Sequence, residues 1–451
     1  MGTIGGHAVV VGGSMSGLVS AAVLSARFDR VTVIDRDTLP DDASDRRGVP
    51  QSGHAHALLI SGRQVLDRVF PGLTDELIQG GAVPYDAGSD LLFHQMGALR
   101  ARFSSGKLGI SLTRAYLEHT VRQRVRALPN VTVRHQVSVI DLHGSPGRVC
   151  GVVLDGGEIL RSDLVVDATG RSGDRTDTWL RRLECPAPDV TKLKVDVGYT
   201  TRVLRRAPGD RIGGDGGGLL YLMSAVPPHD KRAAAVFAVE GDRWMVTLGG
   251  WHRSHAPTDP EGFAEFAENL PDPHVAKLLA SSEPLDGMRA HKFTYPQARR
   301  RHFERLRVLP TGYVALGDAI CSFNPLYGQG MTVGAMEAVA LGETLDEEGR
   351  ASARMARAYY RKAAAAIATP WQMSTGSDFM YPETVGPRPP GTGLVNRYVR
   401  RLMLATHVSQ ESHLVLLDMQ HLLARPSSIF RPGPAIRSLL AARHSPANPA
   451  D

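Results

Sequence analysis

The N-terminal part of the chain alternates short apolar runs with a helical pattern. Residues 8–11 (AVVV) are an apolar run, a glycine-containing turn follows, and residues 18–26 are rich in Ala and Leu, as in a helix. A second apolar run at 31–34 (VTVI) ends on Asp35. This order predicts a βαβ unit, in which a crossover helix joins two parallel strands.

The same pattern continues at lower density along the rest of the N-terminal third and returns near residue 313. Helical periodicity favours helices at 57–70 and 113–125, and apolar runs favour strands at 131–133, 149–154 and 164–166. A further strand, loop and helix pattern spans 313–345. Strands that alternate with helices predict an α/β domain with a parallel sheet.

The middle of the chain has a different pattern. From 176 to 300, alternating strand-like segments such as 194–202 and 244–248 are separated by turns rich in Pro and Gly, which predicts an antiparallel sheet. We therefore expect an α/β domain that is interrupted by a β-rich substrate domain and then completed. The predicted segments are 1–175 with short excursions to the substrate domain near 80–105, then 176–300, 301–382, and a linker with a helical C-terminal region at 383–451.

Composition narrows the class of protein. Of 451 residues, 42% are apolar and 22% charged, which is ordinary for a globular protein. The net charge of +6 is scattered along the chain, so nucleic acid is not an expected partner. Three distant cysteines argue against a disulfide scaffold. We find neither a signal-peptide pattern nor an apolar run long enough for a transmembrane helix, and we expect a cytoplasmic protein.

A glycine turn lies between the first predicted strand and helix. Gly12-x-Ser14-x-x-Gly17 lets the backbone approach a pyrophosphate, and the following helix N-terminus carries free N–H groups. Asp35, at the end of the second strand, is placed to bind a ribose diol. A tight turn without ligand is the alternative, but the strand and helix around it favour dinucleotide binding.

A second glycine-rich loop distinguishes between dinucleotides. The apolar run 313–316 ends at Gly317 and Asp318, and the loop that follows contains Pro325, Gly328 and Gly330. A flavin has a ribityl chain for such a carboxylate to bind, and a helix N-terminus stabilises negative charge on a reduced flavin ring. An Asp that caps the next helix is the alternative, although it does not explain the glycines.

In these motifs the sequence resembles the FAD-dependent monooxygenases of the para-hydroxybenzoate hydroxylase fold. It is most similar to their squalene-epoxidase-like members, and among these to bacterial epoxidases of polyether polyketide precursors. The motifs are VVVGGSMSGL, VTVIDRD, RRGVPQSGHAHALL, LTRAYLEHTV, DLVVDATGR, GDAICSFNPLYGQGM and, more weakly, PWQMSTGSDFMYP. The resemblance implies a Rossmann-like FAD-binding domain of the glutathione-reductase type.

The resemblance also implies roles for individual residues. Arg46 lies near flavin or pyrophosphate, with Arg47 as the other candidate, and Arg114 reaches FAD from a second helix. In the loop that borders the flavin ring, we assign Asn324, Pro325 and Gly328 to the catalytic site, without an acid or base. The full set of predicted cofactor contacts is Gly12, Gly13, Ser14, Gly17, Asp35, Arg36, Arg46, Arg47, Arg114, Asp318, Gly328, Gly330 and Met331.

The activity that the resemblance implies is oxygen transfer from a flavin C4a-hydroperoxide, formed with O2, to an alkene of a hydrophobic polyketide or terpenoid, as in antibiotic biosynthesis and other secondary metabolism. An aromatic hydroxylase on the same fold and a flavin-dependent prenyl reductase remain alternatives. Electrons come from NAD(P)H or from a partner flavin reductase. Thr169-Gly170 stands where many relatives have Asp-Gly, so the electron donor stays open.

Other features concern the substrate, metals and membranes. We expect Phe323, Leu326, Tyr221 and Met223 to contact substrate. His54 and His56 are too few for a metal site, and we predict none. The C-terminal segment combines arginines with leucines, so one of its helices either packs on the protein or lies on a membrane surface as a peripheral contact.

Overall fold

The computed structural model describes residues 3–171, 173–214, 216–224, 226–285 and 291–447. The predicted segments 1–175, 176–300 and 383–451 therefore each contain positions outside the described residues.

Eighteen strands are formed within the described residues: β1 (Gly5–Val11), β2 (Phe28–Asp35), β3 (Val83–Asp86), β4 (Leu91–Gln95), β5 (Ala98–Leu99), β6 (Leu108–Ser111), β7 (Val131–His135), β8 (Val139–Ser145), β9 (Arg148–Leu154), β10 (Ile159–Arg161), β11 (Leu164–Asp167), β12 (Val190–Arg205), β13 (Leu220–Met223), β14 (Arg232–Val239), β15 (Arg243–Gly250), β16 (His291–Arg301), β17 (Tyr313–Ala315) and β18 (Cys321–Ser322). The α-helices in the same ranges are α1 (Met15–Ser25), α2 (Ile60–Val69), α3 (Leu73–Gln79), α4 (Arg114–Arg126), α5 (Gly173–Arg182), α6 (Pro260–Glu268), α7 (His274–Ser281), α8 (Gly330–Glu348), α9 (Ala353–Asp378), α10 (Thr392–Ala405), α11 (Gln410–Gln420) and α12 (Pro432–Ala441).

The first sheet is parallel and has the order β17-β11-β1-β2-β7. Its central strand is apolar on both faces, and Val9 and Val10 are fully buried, as expected of a parallel sheet covered by helices. Because parallel strands end at the same edge, Gly12 after β1, Asp35 at the end of β2 and Gly317 after β17 all lie along one edge of the sheet. This confirms the predicted α/β domain and brings distant motifs together.

The second sheet is mainly antiparallel, in the order β18-β16-β12-β15-β14-β13-β4-β5. Strands 176–300 supply its middle, which confirms the predicted β-rich insertion. The edge hairpin β4–β5 comes from the first part of the chain, and β4 pairs in parallel with β13. The sequence pattern did not predict α6 and α7, whose Phe263 and Val275 pack in an apolar cluster with Trp244 of this sheet.

A long helix connects the two sheets with the C-terminal region. In α9, Tyr359 donates a hydrogen bond to the Ala315 carbonyl at 2.9 Å, and Tyr360 accepts one from the Ala315 N–H at 2.9 Å. These bonds fix the helix against the end of β17. The C-terminal half of α9, including Pro370, carries most of the PWQMSTGSDFMYP motif.

The C-terminal region is helical, as predicted, and part of its apolar surface is buried, while Leu394, Ile436 and Leu440 are exposed. Leu402, Leu404, Leu416 and Leu417 are all buried. Because these leucines are already covered, they do not form a free apolar face for a bilayer. Among the described helices, none has both the length and the apolar composition needed to cross a membrane.

Candidate active site

A cavity of about 1100 Å³ runs between the two sheets. Its walls come from the carboxyl edge of the parallel sheet, the loop around 46–59, the loop at 316–331, one face of the antiparallel sheet and the C-terminal helices. Sixteen of the nineteen residues that the sequence predicted for the site line it. The other three, Gly13, Gly17 and Tyr221, are described below.

The glycine turn after β1 is built for close packing. Gly12 has φ +114°, and a Cβ there would lie 2.4 Å from the Ala168 carbonyl oxygen. A Cβ on Gly17 would lie 1.8 Å from the Gly12 carbonyl oxygen. Gly12 lines the cavity, while Gly17 acts by letting α1 approach the strand. Only glycine satisfies both positions without moving the turn.

The carboxylate of Asp35 holds this turn. Its Oδ2 accepts a hydrogen bond from the Gly13 N–H at 2.7 Å, and its Oδ1 accepts one from the Asp37 N–H at 2.8 Å. Gly13 therefore shapes the site through its backbone. Asp35 also lines the cavity, where a carboxylate is able to accept hydrogen bonds from a sugar diol.

The N-terminus of α1 faces the cavity through Ser14, Met15 and Ser16. Among the described side chains none caps this helix, because Ser14 Oγ donates instead to Glu118 at 3.1 Å and accepts from Arg114 Nη2 at 2.8 Å. The free N–H groups and the positive end of the helix dipole are therefore left for an anionic ligand.

A buried carboxylate, Glu118, organises the arginines beside this turn. It is 4% exposed and accepts a hydrogen bond from Arg46 Nε at 2.7 Å, while Arg114 lies 3.5 Å away. Arg46 also contacts Asp35 at 3.5 Å. Arg47 lines the cavity but is exposed. Of the two predicted alternatives, Arg46 is the one held in place.

The second predicted carboxylate, Asp318, lies in a short 3-10 turn after β17 and lines the cavity. Burial raises its pKa, while Arg171 and Arg114 oppose the shift. The neighbouring Gly317 N–H donates to Glu337 of α8, whose pKa burial raises to about 8. Asp318 does not cap α8, since Gln329 occupies that position.

The N-terminus of α8 also meets the cavity, through Gln329, Gly330 and Met331. In the described part of the chain no side chain caps it. The N-termini of α1 and α8 thus both line one cavity, and both favour negative charge there.

The loop between β18 and α8 is fixed from behind by Asp378, the last residue of α9. Its Oδ1 accepts three hydrogen bonds of 2.9 Å, from Asn324 Nδ2, Tyr327 OH and Trp251 Nε1. Asp378 is fully buried, and burial raises its pKa to about 6. Gly328 completes the loop with φ +64°. Asp378 thereby determines where the loop meets the cavity.

The predicted substrate contacts divide into two groups. Phe323, Leu326 and Met223 line the cavity. The expectation for Tyr221 does not fit the structure, because its ring lies in the apolar cluster beneath the sheet and stacks on His274 at 5.6 Å. Its strand neighbours Leu220 and Leu222 line the cavity instead.

Sequence reasoning missed two residues with many contacts, Glu118 and Asp378. Both lie inside motifs that were recognised, and Glu118 lies one helical turn after Arg114, the spacing at which two side chains meet. That spacing was the available signal for Glu118. For Asp378 no local signal exists, since its partners are 51 to 127 residues away in the chain.

The donors around the cavity fit an anionic dinucleotide. Two carboxylates, Asp35 and Asp318, line the cavity beside a larger group of arginines: Arg36, Arg46, Arg47, Arg114, Arg171 and Arg175. This surplus of positive charge, with two helix N-termini, suits a pyrophosphate. In the described residues no group of His, Cys, Asp and Glu is arranged to hold a metal ion.

Comparisons with known proteins define the class of fold. The structure is similar to PqsL, a probable FAD-dependent monooxygenase from Pseudomonas aeruginosa, with a TM-score of 0.62 and 18% identity over 83% of this chain and 97% of PqsL. The chain thus has the fold of FAD-dependent monooxygenases. In sequence it is 24% identical to 6-hydroxy-3-succinoylpyridine 3-monooxygenase HspB of Pseudomonas putida, over 75% of this chain and 79% of HspB.

A stronger relationship in sequence identifies the family. The chain is 31% identical to protein Rv3254 of Mycobacterium tuberculosis over 395 residues, and the aligned region covers 83% of this chain and 80% of Rv3254. The chain belongs to the family of this mycobacterial protein. No family model matches the chain.

Proposed function

We propose that the protein is an FAD-dependent monooxygenase that epoxidises an alkene of a hydrophobic polyketide or terpenoid in secondary metabolism. The observation that carries the proposal is the cavity of about 1100 Å³, which joins the glycine turn and its arginines to an apolar wall. A dinucleotide at one end and a lipophilic substrate at the other would then meet inside one cavity.

In this proposal the residues around the cavity divide the binding of FAD among them. Arg46, Arg114 and the N-terminus of α1 bind the pyrophosphate. Asp35 binds the adenosine ribose and Asp318 the ribityl chain. The loop with Asn324, Pro325 and Gly328 borders the flavin ring, and Asp378 holds that loop in position. The positive end of α8 stabilises negative charge on the ring.

When bound and reduced, FAD would supply the activation of O2 and the transfer of one oxygen atom to the substrate. The chain itself must position the substrate and exclude water. Leu220, Leu222 and Phe237 of the sheet provide an apolar wall, and Leu416 and Leu417 of α11 cover it. The packing of the C-terminal region therefore supports a role in water exclusion.

The protonation of the cavity's imidazoles favours epoxidation. Burial, with a contribution from Arg114, lowers the pKa of His56 to about 3, and burial lowers that of His413 to about 3 and that of His421 to about 4. Such weak bases do not readily deprotonate a phenol, whereas attack on an alkene needs no deprotonation. Aromatic hydroxylation is the second candidate, because HspB is by name a monooxygenase of a hydroxypyridine.

The electron source is proposed to be NAD(P)H or a partner flavin reductase. Thr169 binds back to Asp167, with its N–H at 3.0 Å and its Oγ1 at 2.7 Å from Oδ1. The Thr169 hydroxyl thus already has a hydrogen-bond partner within the protein. Comparing flavin reduction by NADH, by NADPH and by an added flavin reductase would decide between the donors.

A cytoplasmic location of the protein stays a prediction.

The test uses the FAD-loaded protein, a reductant and a polyene such as squalene or farnesol. Incubation under 18O2 followed by mass spectrometry should show one labelled oxygen in the product, at an alkene carbon pair. Label on an aromatic substrate with none on the polyene would favour the hydroxylase. A protein that takes up no FAD after incubation would contradict the proposal as a whole.

A further inference from the structure

A buried arginine on the cavity wall has side-chain partners that are not among the predicted dinucleotide contacts. Arg100 follows the edge hairpin β4–β5, lines the cavity and is 4% exposed. Its backbone N–H donates to the Phe93 carbonyl at 3.0 Å, which fixes the main chain there. None of the recognised motifs contains it.

The side chain of Arg100 has only neutral partners among the described residues. Nη1 donates to Gln420 Oε1 at 2.9 Å and Nη2 donates to Gln95 Oε1 at 2.6 Å. The guanidinium carbon lies 4.0 Å from the centre of the Phe93 ring. Nε has no hydrogen-bond partner within the described ranges. Among the described residues no carboxylate forms an ion pair with Arg100, and Asp418, two residues before Gln420, is paired with Lys107 at 3.1 Å.

Such a charge is expensive to bury, because a guanidinium loses its hydration and regains only neutral hydrogen bonds. Burial lowers the pKa of Arg100 to about 9, so it still carries its proton at neutral pH. The nearby His413 and His421 are neutral at that pH, so they do not balance the positive charge of Arg100. The other arginines with a comparable position at the cavity, such as Arg46, have carboxylate partners.

The surroundings of Arg100 offer one further donor and an apolar frame. The Ile60 N–H lies 3.3 Å from His421 Nδ1 and donates to it, so the proton of this neutral ring is on Nε2. His421 lines the cavity, as do Phe93 and Leu417. A positive charge without a countercharge, set in an apolar wall, is an arrangement that recognises the acidic end of a hydrophobic molecule.

We propose that Arg100 binds a carboxylate of the substrate, and that the substrate is accordingly a free hydrophobic carboxylic acid. This inference rests on the proposed function, since it takes the same cavity as the substrate site. The carboxylate supplies the missing countercharge, and its position fixes which alkene or ring lies near the flavin loop. An ester or a chain linked to a carrier protein through a thioester lacks that charge.

Binding is tested on the FAD-saturated protein without reductant, by titration calorimetry with farnesoic acid and with methyl farnesoate. The wild type should bind the acid at least tenfold more tightly than the ester. Arg100→Gln should weaken binding of the acid by roughly ten- to a hundredfold, the range of a charge-assisted hydrogen bond. It should change binding of the ester less than threefold, and Arg100→Lys should lie between.

The matched control is Arg102→Gln, because Arg102 is an exposed arginine two residues away that lies outside the cavity lining and donates to the backbone carbonyls of Ser89, Gly216 and Gly217. It should leave both affinities unchanged. If Arg100 has a purely structural role and only fastens α11 through Gln420, Arg100→Gln should weaken binding of the acid and of the ester equally. If that variant does not fold, the comparison of acid and ester in the wild type and in Arg100→Lys decides.

Equal affinity of the wild type for acid and ester, or no binding of the acid, would overturn this inference. Product formation is measured separately with 18O2. Selective binding of the acid without labelled product would contradict the monooxygenase proposal and leave the role of Arg100 standing. If labelled product forms equally well from the ester and in Arg100→Gln, the monooxygenase proposal stands and the role of Arg100 is refuted.

Discussion

At the scale of single residues, position in the charge network decides which arginines matter. Arg46 and Arg47 are neighbours in the chain, yet only Arg46 is held by Glu118 at 2.7 Å, close to the glycine turn. A side chain that is already fixed loses little further conformational freedom when a ligand binds. Glu118 thus prepares Arg46 for an anion.

We therefore expect Arg46→Gln to weaken FAD affinity by roughly tenfold or more, as for loss of a charge-assisted hydrogen bond. Arg47→Gln, the matched control with an exposed arginine, should weaken it less than threefold. Fluorescence titration of each apoprotein with FAD measures both values. Equal effects in the two variants would contradict the assignment to Arg46.

A second prediction at this scale concerns pH and stability. Glu337 is fully buried, and burial raises its pKa from an ordinary 4.5 to about 8. The protonated form is favoured in the folded state, so its contribution is complete below about pH 4.5 and is lost as pH rises through 8. Glu337→Gln, which cannot ionise, should remove this loss.

Expressed as free energy of unfolding, this part of the decline is on the order of 4 kcal/mol between pH 4.5 and 8. Urea unfolding at pH 5 and at pH 8 should show a smaller decline in Glu337→Gln than in the wild type. Glu343→Gln changes an exposed residue of the same helix and serves as control. A wild-type decline that Glu337→Gln leaves unchanged would refute the assignment.

At the scale of elements, the approach of α1 to β1 depends on a glycine. A Cβ on Gly17 would lie 1.8 Å from the Gly12 carbonyl oxygen, so Gly17→Ala must displace either the helix or the strand. We expect loss of FAD binding together with a lower thermal midpoint. At Gly156 a Cβ would have no neighbour within 4 Å, and Gly156→Ala should leave both unchanged. An Ala at position 17 with normal FAD affinity would show that the turn tolerates the shift.

The connection between α9 and the loop at 324–328 gives a fourth prediction. Asp378→Ala removes the acceptor of three hydrogen bonds and should let the loop move. We expect FAD affinity within threefold of wild type, but a several-fold lower ratio of product formed to reductant consumed. Asp378→Asn keeps an acceptor oxygen and should recover part of this ratio. An unchanged ratio in Asp378→Ala would mean that the loop holds its position without Asp378.

At the scale of the whole molecule, the C-terminal region covers the apolar part of the cavity, which is the proposed substrate site. Leu417 is 2% exposed, lines the cavity and packs with residues of the N-terminal half, including Ile60 and Tyr85. Its truncation opens a path for water and removes buried apolar surface. The region therefore links stability to protection of the reaction.

Leu417→Ala should lower the free energy of unfolding by about 2 kcal/mol and raise H2O2 release per reductant consumed, because water enters the cavity. Leu394→Ala is the control, since Leu394 is 71% exposed and little changes when it is shortened. Chemical denaturation and a peroxidase-coupled assay measure the two effects. If Leu417→Ala lowers the free energy of unfolding without raising H2O2 release, the C-terminal region has only a structural role.

The chain by itself determined the local elements and their class. The apolar runs near 8–11, 31–34 and 164–166 became neighbouring parallel strands, because their pattern of buried positions allows little else. The glycine turn and Asp35 were predictable for the same reason, since strand, turn and helix follow each other directly. Alternation along β13 was ambiguous, and Tyr221 was assigned to the wrong side.

Only the tertiary structure decided the groups whose partners are distant in the chain. Gln420, one of the two hydrogen-bond partners described for Arg100, lies 320 residues away from it, and Trp251, a partner of Asp378, lies 127 residues away. Local pattern reports burial and periodicity, but it does not report which two buried surfaces meet. The C-terminal helices close the cavity because these distant surfaces pack together. The same packing places Arg100 inside the cavity without a countercharge among the described residues, and no local pattern predicts either result.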